Sequence, residues 1–224
     1  MAHEAQSGRG ARPPQRHTAA LLALLLSSAG CSSDATPNEG QTGTARYALD
    51  GLQRKVAQGR CPEVSLREFS GQRLRFLPSA RVVGAFRPHL AQFEDVVYEV
   101  ALRIYGRAPS AVLVAASYEC RSVRGKQRRL SEHAFGNAID ITGFRFPSVP
   151  GAWLQSAQEG FEVRVAQHWH ARWGWAERRH ARFLEELTRT LIERDVFRTL
   201  LGPAHPDHKD HFHFDMAPGR FVDL

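Results

Sequence analysis

The spacing of apolar residues along the chain predicts two amphipathic helices. The first is marked by residues at steps of three and four, namely Leu90, Phe93, Val97, Val100 and Ile104, which is the period of one helix face. It is expected to start near Pro88 and to end near Gly106. The second helix is marked by Phe183, Leu184, Leu187, Leu191 and Ile192.

Three shorter segments have the character of strands. Residues 111–117 form an apolar run, and residues 138–142 and 211–216 are short strand candidates. Strands and helices do not alternate regularly enough for a doubly wound sheet, so the pattern favours an α+β fold with a small antiparallel sheet flanked by helices. The second and third candidates are expected to be neighbouring strands.

The first 60 residues differ from the rest of the chain. Residues 1–30 combine three arginines, a short apolar run at 18–26 and small residues directly before Cys31, the pattern of a bacterial lipoprotein signal peptide with lipidation at Cys31. An ordinary secretory signal is the alternative. Residues 31–60 are predicted to be a flexible tether, and residues 61–224 one folded domain. We therefore expect an exported protein of the periplasm or cell envelope, anchored to the outer membrane by lipid alone.

Composition limits the partners. The chain of 224 residues has a net charge of +7, but it shows no recognisable DNA- or RNA-binding module, so no nucleic acid is expected and a monomer is assumed. An anionic surface is a simpler partner for the charge. If Cys31 carries lipid, Cys61 and Cys120 remain as a pair, which an oxidising compartment would join in a disulfide. Two buried free thiols are the alternative.

Two polar clusters can supply a metal site. Residues 131–140 read Ser-Glu-His-Ala-Phe-Gly-Asn-Ala-Ile-Asp, and residues 210–213 read Asp-His-Phe-His. Imidazole and carboxylate groups are good Zn²⁺ ligands, and a hydrolytic site needs three of them so that the fourth position can hold water. His133, Asp140 and His213 fill that quota.

The alternation of a strand places the remaining groups. His211 and His213 are expected on one face, while Phe212 and Phe214 enter the core. Asp210 lies at the bend that enters the strand, where its carboxylate is expected to act as general base towards the attacking water. A loose, metal-collecting histidine-rich tail is the alternative, but the phenylalanines favour a packed strand.

The combined pattern resembles a known group of proteins. Ser131-x-His133-x-x-Gly136-x-Ala138-x-Asp140 followed by Asp210-His211-x-His213 is similar to the zinc-peptidase superfamily of D-alanyl-D-alanine carboxypeptidases, lysostaphin-type endopeptidases and hedgehog domains. Within it, the bacterial extensin-like C-terminal domain is the nearest likeness, supported by Ser117-Tyr118-x-Cys120-Arg121 and Leu201-Gly202-Pro203. The resemblance spans about residues 61–217.

The resemblance implies a function and further roles. It implies a hedgehog-like peptidase fold, Zn²⁺ as cofactor and a peptide of peptidoglycan as substrate. His211 would assist the water or the transition state, Arg121 would bind a substrate carboxylate or oxyanion, and Ser131 and His208 would orient the ligands. The carboxypeptidase branch usually has Glu-x-x-His where this chain has Asp210, which leaves carboxypeptidase and endopeptidase both open.

Two other functions fit the sequence. One is a non-catalytic, cell-wall-binding or structural lipoprotein that keeps the metal for stability. The other is a cysteine enzyme that uses Cys120 beside His133, and a disulfide between Cys120 and Cys61 would exclude it.

Overall fold

The computed structural model describes residues 60–151 and 158–224. The predicted signal peptide, the lipidation at Cys31 and nearly all of the predicted tether lie outside these residues. The strands, in chain order, are β1 Leu66–Phe69, β2 Arg75–Leu77, β3 Ala80–Val83, β4 Ala111–Ala116, β5 Ser122–Val123, β6 Lys126–Leu130, β7 Ala138–Phe146, β8 Phe161–Arg164, β9 Thr199–Leu201, β10 Phe212–Asp215 and β11 Phe221–Asp223. The helices are α1 Arg87–Tyr105, α2 Val165–His168 and α3 Trp175–Glu193.

Helix α1 confirms the prediction made from apolar spacing. Its five marker residues are all buried, and its end is fixed by Gly106, which adopts a φ of 69° and donates its N–H to the carbonyl of Leu102. This left-handed cap favours glycine because other residues carry a Cβ penalty there. Helix α3 likewise buries Phe183, Leu184, Leu187 and Leu191.

The central sheet is larger and more mixed than the sequence suggested. It has seven strands, in the order β11-β9-β10-β7-β4-β2, with β8 added to β7. The pairs β11·β9 and β2·β4 are parallel and the others are antiparallel. The protein is a mixed α/β fold, so the predicted combination of helices and strands is confirmed, but the predicted small antiparallel sheet was wrong. Two further two-stranded sheets pair β1 with β3 and β5 with β6.

A bulge in β7 changes which of its side chains face the core. Val114 pairs with Ile141 and Leu113 with Gly143, so Thr142 is an extra residue on β7. An extra residue shifts the alternation of the strand, and Ile141 and Phe144 therefore both enter the core. Asp140, directly before Ile141, faces the other side of the sheet.

The helices cover the core side of the sheet. Phe93 of α1 lies 6.4 Å from Phe144 and 5.9 Å from Phe214, measured between ring centroids. Phe214 also stacks on Phe197 at 5.0 Å. Phe212 and Phe214 are fully buried, as predicted, and since residues alternate along β10, His213 projects to the opposite face.

A buried carboxylate holds the turn between β1 and β2. Glu94 of α1 accepts the backbone N–H groups of Gln72, Arg73 and Leu74 at 2.8–3.0 Å. Gly71 passes so close that a Cβ would lie 1.7 Å from the carbonyl oxygen of Leu74, at a φ of 97°. This turn therefore requires both the acid and the glycine.

Within the described residues, no helix is both long enough and apolar enough to cross a bilayer.

Candidate metal centre

The sheet register brings two of the predicted ligands together. Strands β7 and β10 are antiparallel neighbours, and His213 is the direct partner of Asp140. Side chains at directly opposed positions project to the same face of a sheet. The prediction that these two segments are neighbouring strands is confirmed.

The third residue, His133, arrives on a tight turn. Residues Glu132–Phe135 form a 3-10 turn that Ser131 caps, since its hydroxyl accepts the backbone N–H of His133 at 3.4 Å. The turn ends at Gly136, at a φ of 63°, where a Cβ would lie 2.4 Å from the Leu66 side chain and 3.2 Å from the backbone nitrogen of Val83. Glycine is needed here for both the conformation and the space.

The three side chains meet at a triangle of ligand atoms. Nε2 of His133 lies 3.1 Å from Oδ1 of Asp140 and 3.1 Å from Nδ1 of His213, and Nδ1 of His213 lies 2.8 Å from Oδ1 of Asp140. All three residues are buried. They form the one group of three or more possible metal-binding residues found in the part of the chain that the structure describes.

Backbone and side-chain acceptors fix the proton on each imidazole. His133 donates Nδ1–H to the carbonyl oxygen of Ser117, so in the neutral ring Nε2 carries the lone pair. His213 donates Nε2–H to Asp215 at 2.8 Å, so in the neutral ring its lone pair is on Nδ1. Both lone pairs therefore point at the Asp140 carboxylate, and three electron donors share one small space.

Such a concentration of donors needs a cation or a proton. Burial alone would raise the pKa of Asp140, but donation and positive charge from a protonated ring of His133 or His213 outweigh burial and hold that pKa well below its usual range. Burial lowers the pKa of His213, yet the carboxylates of Asp140 and Asp215 outweigh it and raise the pKa to about 9. Without a metal, the site therefore retains a proton on His213 at neutral pH.

His211 and Asp210 form a dyad at the edge of this triangle. Nδ1 of His211 lies 2.8 Å from Oδ1 of Asp210, and its Nε2 lies 3.8 Å from Oδ1 of Asp140. The side chain of Asp210 is 73% exposed, whereas that of His211 is 18% exposed. The hydrogen bond to His211 lowers the pKa of Asp210, so this carboxylate is ionised and contacts the far side of the imidazole.

Of the other predicted site residues, two contact the segments that carry the ligands and the third is held by an ion pair. The ring of His208 is 4.9 Å from that of His211 and 5.4 Å from that of His213. Burial, followed by repulsion from neighbouring histidines, lowers the pKa of His208 to about 4. Ser131 contacts the backbone of His133, as described above, and Arg121 forms an ion pair with Glu119 through Nε at 2.6 Å.

Asp215 is a residue that the sequence reasoning missed. Its Oδ2 holds His213, and its Oδ1 accepts the N–H of Ala217 at 2.8 Å. The signal was present, because Asp215 follows His213 by two residues and so shares its face of the strand. The carbonyl of Ser117 left no such signal, since any residue supplies a carbonyl.

The predicted disulfide is confirmed. Cys61 and Cys120 are joined, with 5.8 Å between their Cα atoms. The bond occupies the thiol of Cys120 and thereby excludes the cysteine-enzyme hypothesis. It also ties the start of the described chain to the segment that contains Arg121.

One of three comparisons with known proteins finds a match for this chain. Neither the curated proteins nor the solved structures contain a match. A family model described as "Extensin-like protein C-terminus" matches residues 40–222, which include every residue of the metal centre. The chain therefore belongs to the extensin-like C-terminus family.

Proposed function

We propose that the protein is a zinc-dependent peptidase that hydrolyses a peptide bond in peptidoglycan, of D,D-carboxypeptidase or endopeptidase type. One observation carries the proposal: three buried donors with fixed lone pairs meet beside a partly exposed histidine that is held by a carboxylate. The proposal also places the chain in the superfamily of D-alanyl-D-alanine carboxypeptidases, lysostaphin-type endopeptidases and hedgehog domains, on the motifs quoted above.

The donor set suits Zn²⁺. For Zn–N bonds of 2.0–2.1 Å, the ligand atoms of a tetrahedron lie about 3.3 Å apart. The three separations here are 3.1, 3.1 and 2.8 Å, so only a small expansion is needed to accept the ion. Three protein ligands, two of them imidazoles, are typical of catalytic rather than structural zinc, which normally has four.

The residues of the triangle and those that contact them have separate roles in the proposed hydrolysis. When bound, Zn²⁺ supplies a Lewis acid that polarises the scissile carbonyl and lowers the pKa of water. His133, Asp140 and His213 hold the ion, while Ser117 and Asp215 keep the two imidazoles in the required tautomers.

Proton transfer is assigned to His211. Its Nε2 faces the site and accepts the proton of the attacking water, and the same atom returns that proton to the leaving amine. Asp210 holds Nδ1–H and stabilises the imidazolium that forms. This assignment reverses the one drawn from the sequence, in which Asp210 was the base and His211 assisted, because Asp210 is turned outward onto His211.

Arg121 remains the candidate for binding a substrate carboxylate or oxyanion. Glu119 holds the Nε atom of its guanidinium at 2.6 Å, and a bidentate contact with a substrate carboxylate would use the terminal nitrogens.

Export is part of the proposal. Residues 1–31 have the pattern of a lipoprotein signal, and the disulfide between Cys61 and Cys120 is typical of an oxidising compartment. We infer an envelope lipoprotein that faces peptidoglycan.

The direct test is digestion of purified peptidoglycan by the mature protein, with and without chelator, followed by mass spectrometry of released fragments. The proposal expects metal-dependent cleavage that His211→Ala slows by about 10²–10⁴-fold while zinc content and fold are retained. Cleavage that persists in chelator would contradict it. Absence of cleavage by folded, zinc-loaded protein would instead support the non-catalytic cell-wall-binding alternative.

A further inference from the structure

A strongly basic hairpin lies directly before the first ligand. Residues 121–130, here called the cationic hairpin, contain five basic residues and no acidic one: Arg121, Arg124, Lys126, Arg128 and Arg129. Arg121 is paired with Glu119 and Arg124 with Asp207. Lys126, Arg128 and Arg129 are exposed, and no carboxylate of residues 60–151 or 158–224 forms an ion pair with them.

The base of the cationic hairpin is fastened to the metal centre. Ser131 donates its N–H to the carbonyl of Arg121 at 3.1 Å, and Glu119 donates its N–H to the carbonyl of His133 at 3.2 Å. The far end is fastened as well, since the ion pair at 3.1 Å between Arg124 and Asp207 reaches the segment that leads into β10. The hairpin therefore connects the two segments that supply the ligands.

The exposed charges are close to the site. Arg129 and Arg128 precede His133 by four and five residues, and an extended chain spans at most about 3.6 Å per residue. Their Cα atoms thus lie no more than about 14 Å and about 18 Å from that of His133. A peptide of four or five residues with one bond at the metal centre is long enough to reach both charges.

The backbone of β6 offers a second means of contact. β6 pairs only with β5 in its two-stranded sheet, so its other edge faces no described strand. An extended peptide can add to such an edge through main-chain hydrogen bonds. A basic strand with an unpaired edge suits an extended, acidic chain.

From these observations we infer that the cationic hairpin binds the carboxylates of an anionic peptide substrate that extends from the metal centre along β6. The inference rests on the proposed function, because it adds the substrate's charge and path to the same site. Opposite charge at the rim of a site raises the association rate and the selectivity for charged ligands, and salt weakens both effects.

The test measures binding separately from cleavage. Full-length mature protein, with its zinc content and circular dichroism verified, is pelleted with insoluble peptidoglycan whose carboxyl groups are either native or amidated. The hairpin variant carries Arg128→Glu and Arg129→Glu. The matched control carries Arg178→Glu and Arg189→Glu, which change the net charge equally at two exposed positions of α3.

At low salt, the hairpin variant is expected to bind native peptidoglycan at least about tenfold more weakly than wild type, while the α3 control binds as wild type does. Amidation is expected to weaken wild-type binding by a similar factor, and kcat on a short, uncharged peptide is expected to be unchanged in the hairpin variant. Equal binding by both variants, or no effect of amidation, would overturn the inference. Hairpin-dependent binding to anionic phospholipid vesicles in place of peptidoglycan would also overturn it, in favour of a membrane surface.

The two proposals fail in different ways. Charge-selective pelleting without any cleavage would refute the peptidase and leave the hairpin as an anionic-peptide site. Metal-dependent cleavage with pelleting that ignores the hairpin charges would refute only the present inference.

Discussion

Replacing Asp215 with asparagine is expected to weaken zinc binding by about ten- to a hundredfold while all three ligands remain in place. Asp215 is buried, and its two oxygens accept two N–H donors, Nε2–H of His213 and the backbone N–H of Ala217, each at 2.8 Å. An amide of the same shape has one oxygen and one NH₂ group.

The expected loss of zinc affinity follows from this difference between the carboxylate and the amide. Asparagine can accept from Ala217 only if its NH₂ group faces His213, and His213 must then move its proton from Nε2 to Nδ1. Nδ1 is the atom that lies 2.8 Å from Asp140, so the proton occupies the lone pair that the metal requires. A ten- to hundredfold loss corresponds to about 1.4–2.7 kcal/mol.

The assay is competition for Zn²⁺ against a chelating dye at constant pH. Glu94→Gln is the matched control, because Glu94 is also a buried acid that accepts backbone N–H groups but belongs to the β1–β2 turn. It is expected to lower the melting temperature without changing zinc affinity. Zinc binding by Asp215→Asn equal to that of the wild type, or an equal loss of affinity in Glu94→Gln, would show that Asp215 does not fix the tautomer of His213.

Three other changes have defined outcomes. In chelator-treated protein, the pKa of His213 is raised from an ordinary 6.5 to about 9. The protonated ring therefore contributes stability that is fully present below pH about 6.5 and is lost as the pH rises through about 9. Urea unfolding from pH 6 to 10 should show this decline, and a flat profile would count against the proton on His213. His211→Ala is expected to lower kcat by about 10²–10⁴-fold, and Asp210→Asn is expected to lower it by about 10–100-fold. Both variants should keep the zinc content of the wild type. Equal activity of wild type and His211→Ala would rule out His211 as the base. Reducing the disulfide between Cys61 and Cys120, which are 59 residues apart, should lower the free energy of unfolding by about 4 kcal/mol. An unchanged denaturation midpoint would show that the disulfide does not stabilise the fold.

The spacing of apolar residues was sufficient to predict the two long helices and the strand β10. Apolar spacing marked α1 and α3 because each helix buries one face against the sheet. Alternation along β10 was equally informative, because Phe212 and Phe214 enter the core and His213 must then face away. The three candidate ligands could be chosen from residue type and spacing alone.

Sequence could not reveal what depends on pairing between distant segments. The parallel strands β2 and β11 are three residues each, too short to show a period, so the full sheet was not foreseen. The bulge at Thr142 is set by the register with β4 and has no local signature. Asp210 precedes β10, at a bend, where strand alternation does not fix the direction of its side chain.

The proposed function depends on the binding of one divalent cation by His133, Asp140 and His213. The most direct measurement is the zinc content of purified, dialysed protein, wild type against His213→Ala, with circular dichroism to verify folding. One zinc ion is expected per wild-type chain, and the folded variant is expected to lose its bound zinc. A folded wild-type protein without affinity for zinc, or a variant that retains its zinc in full, would contradict it.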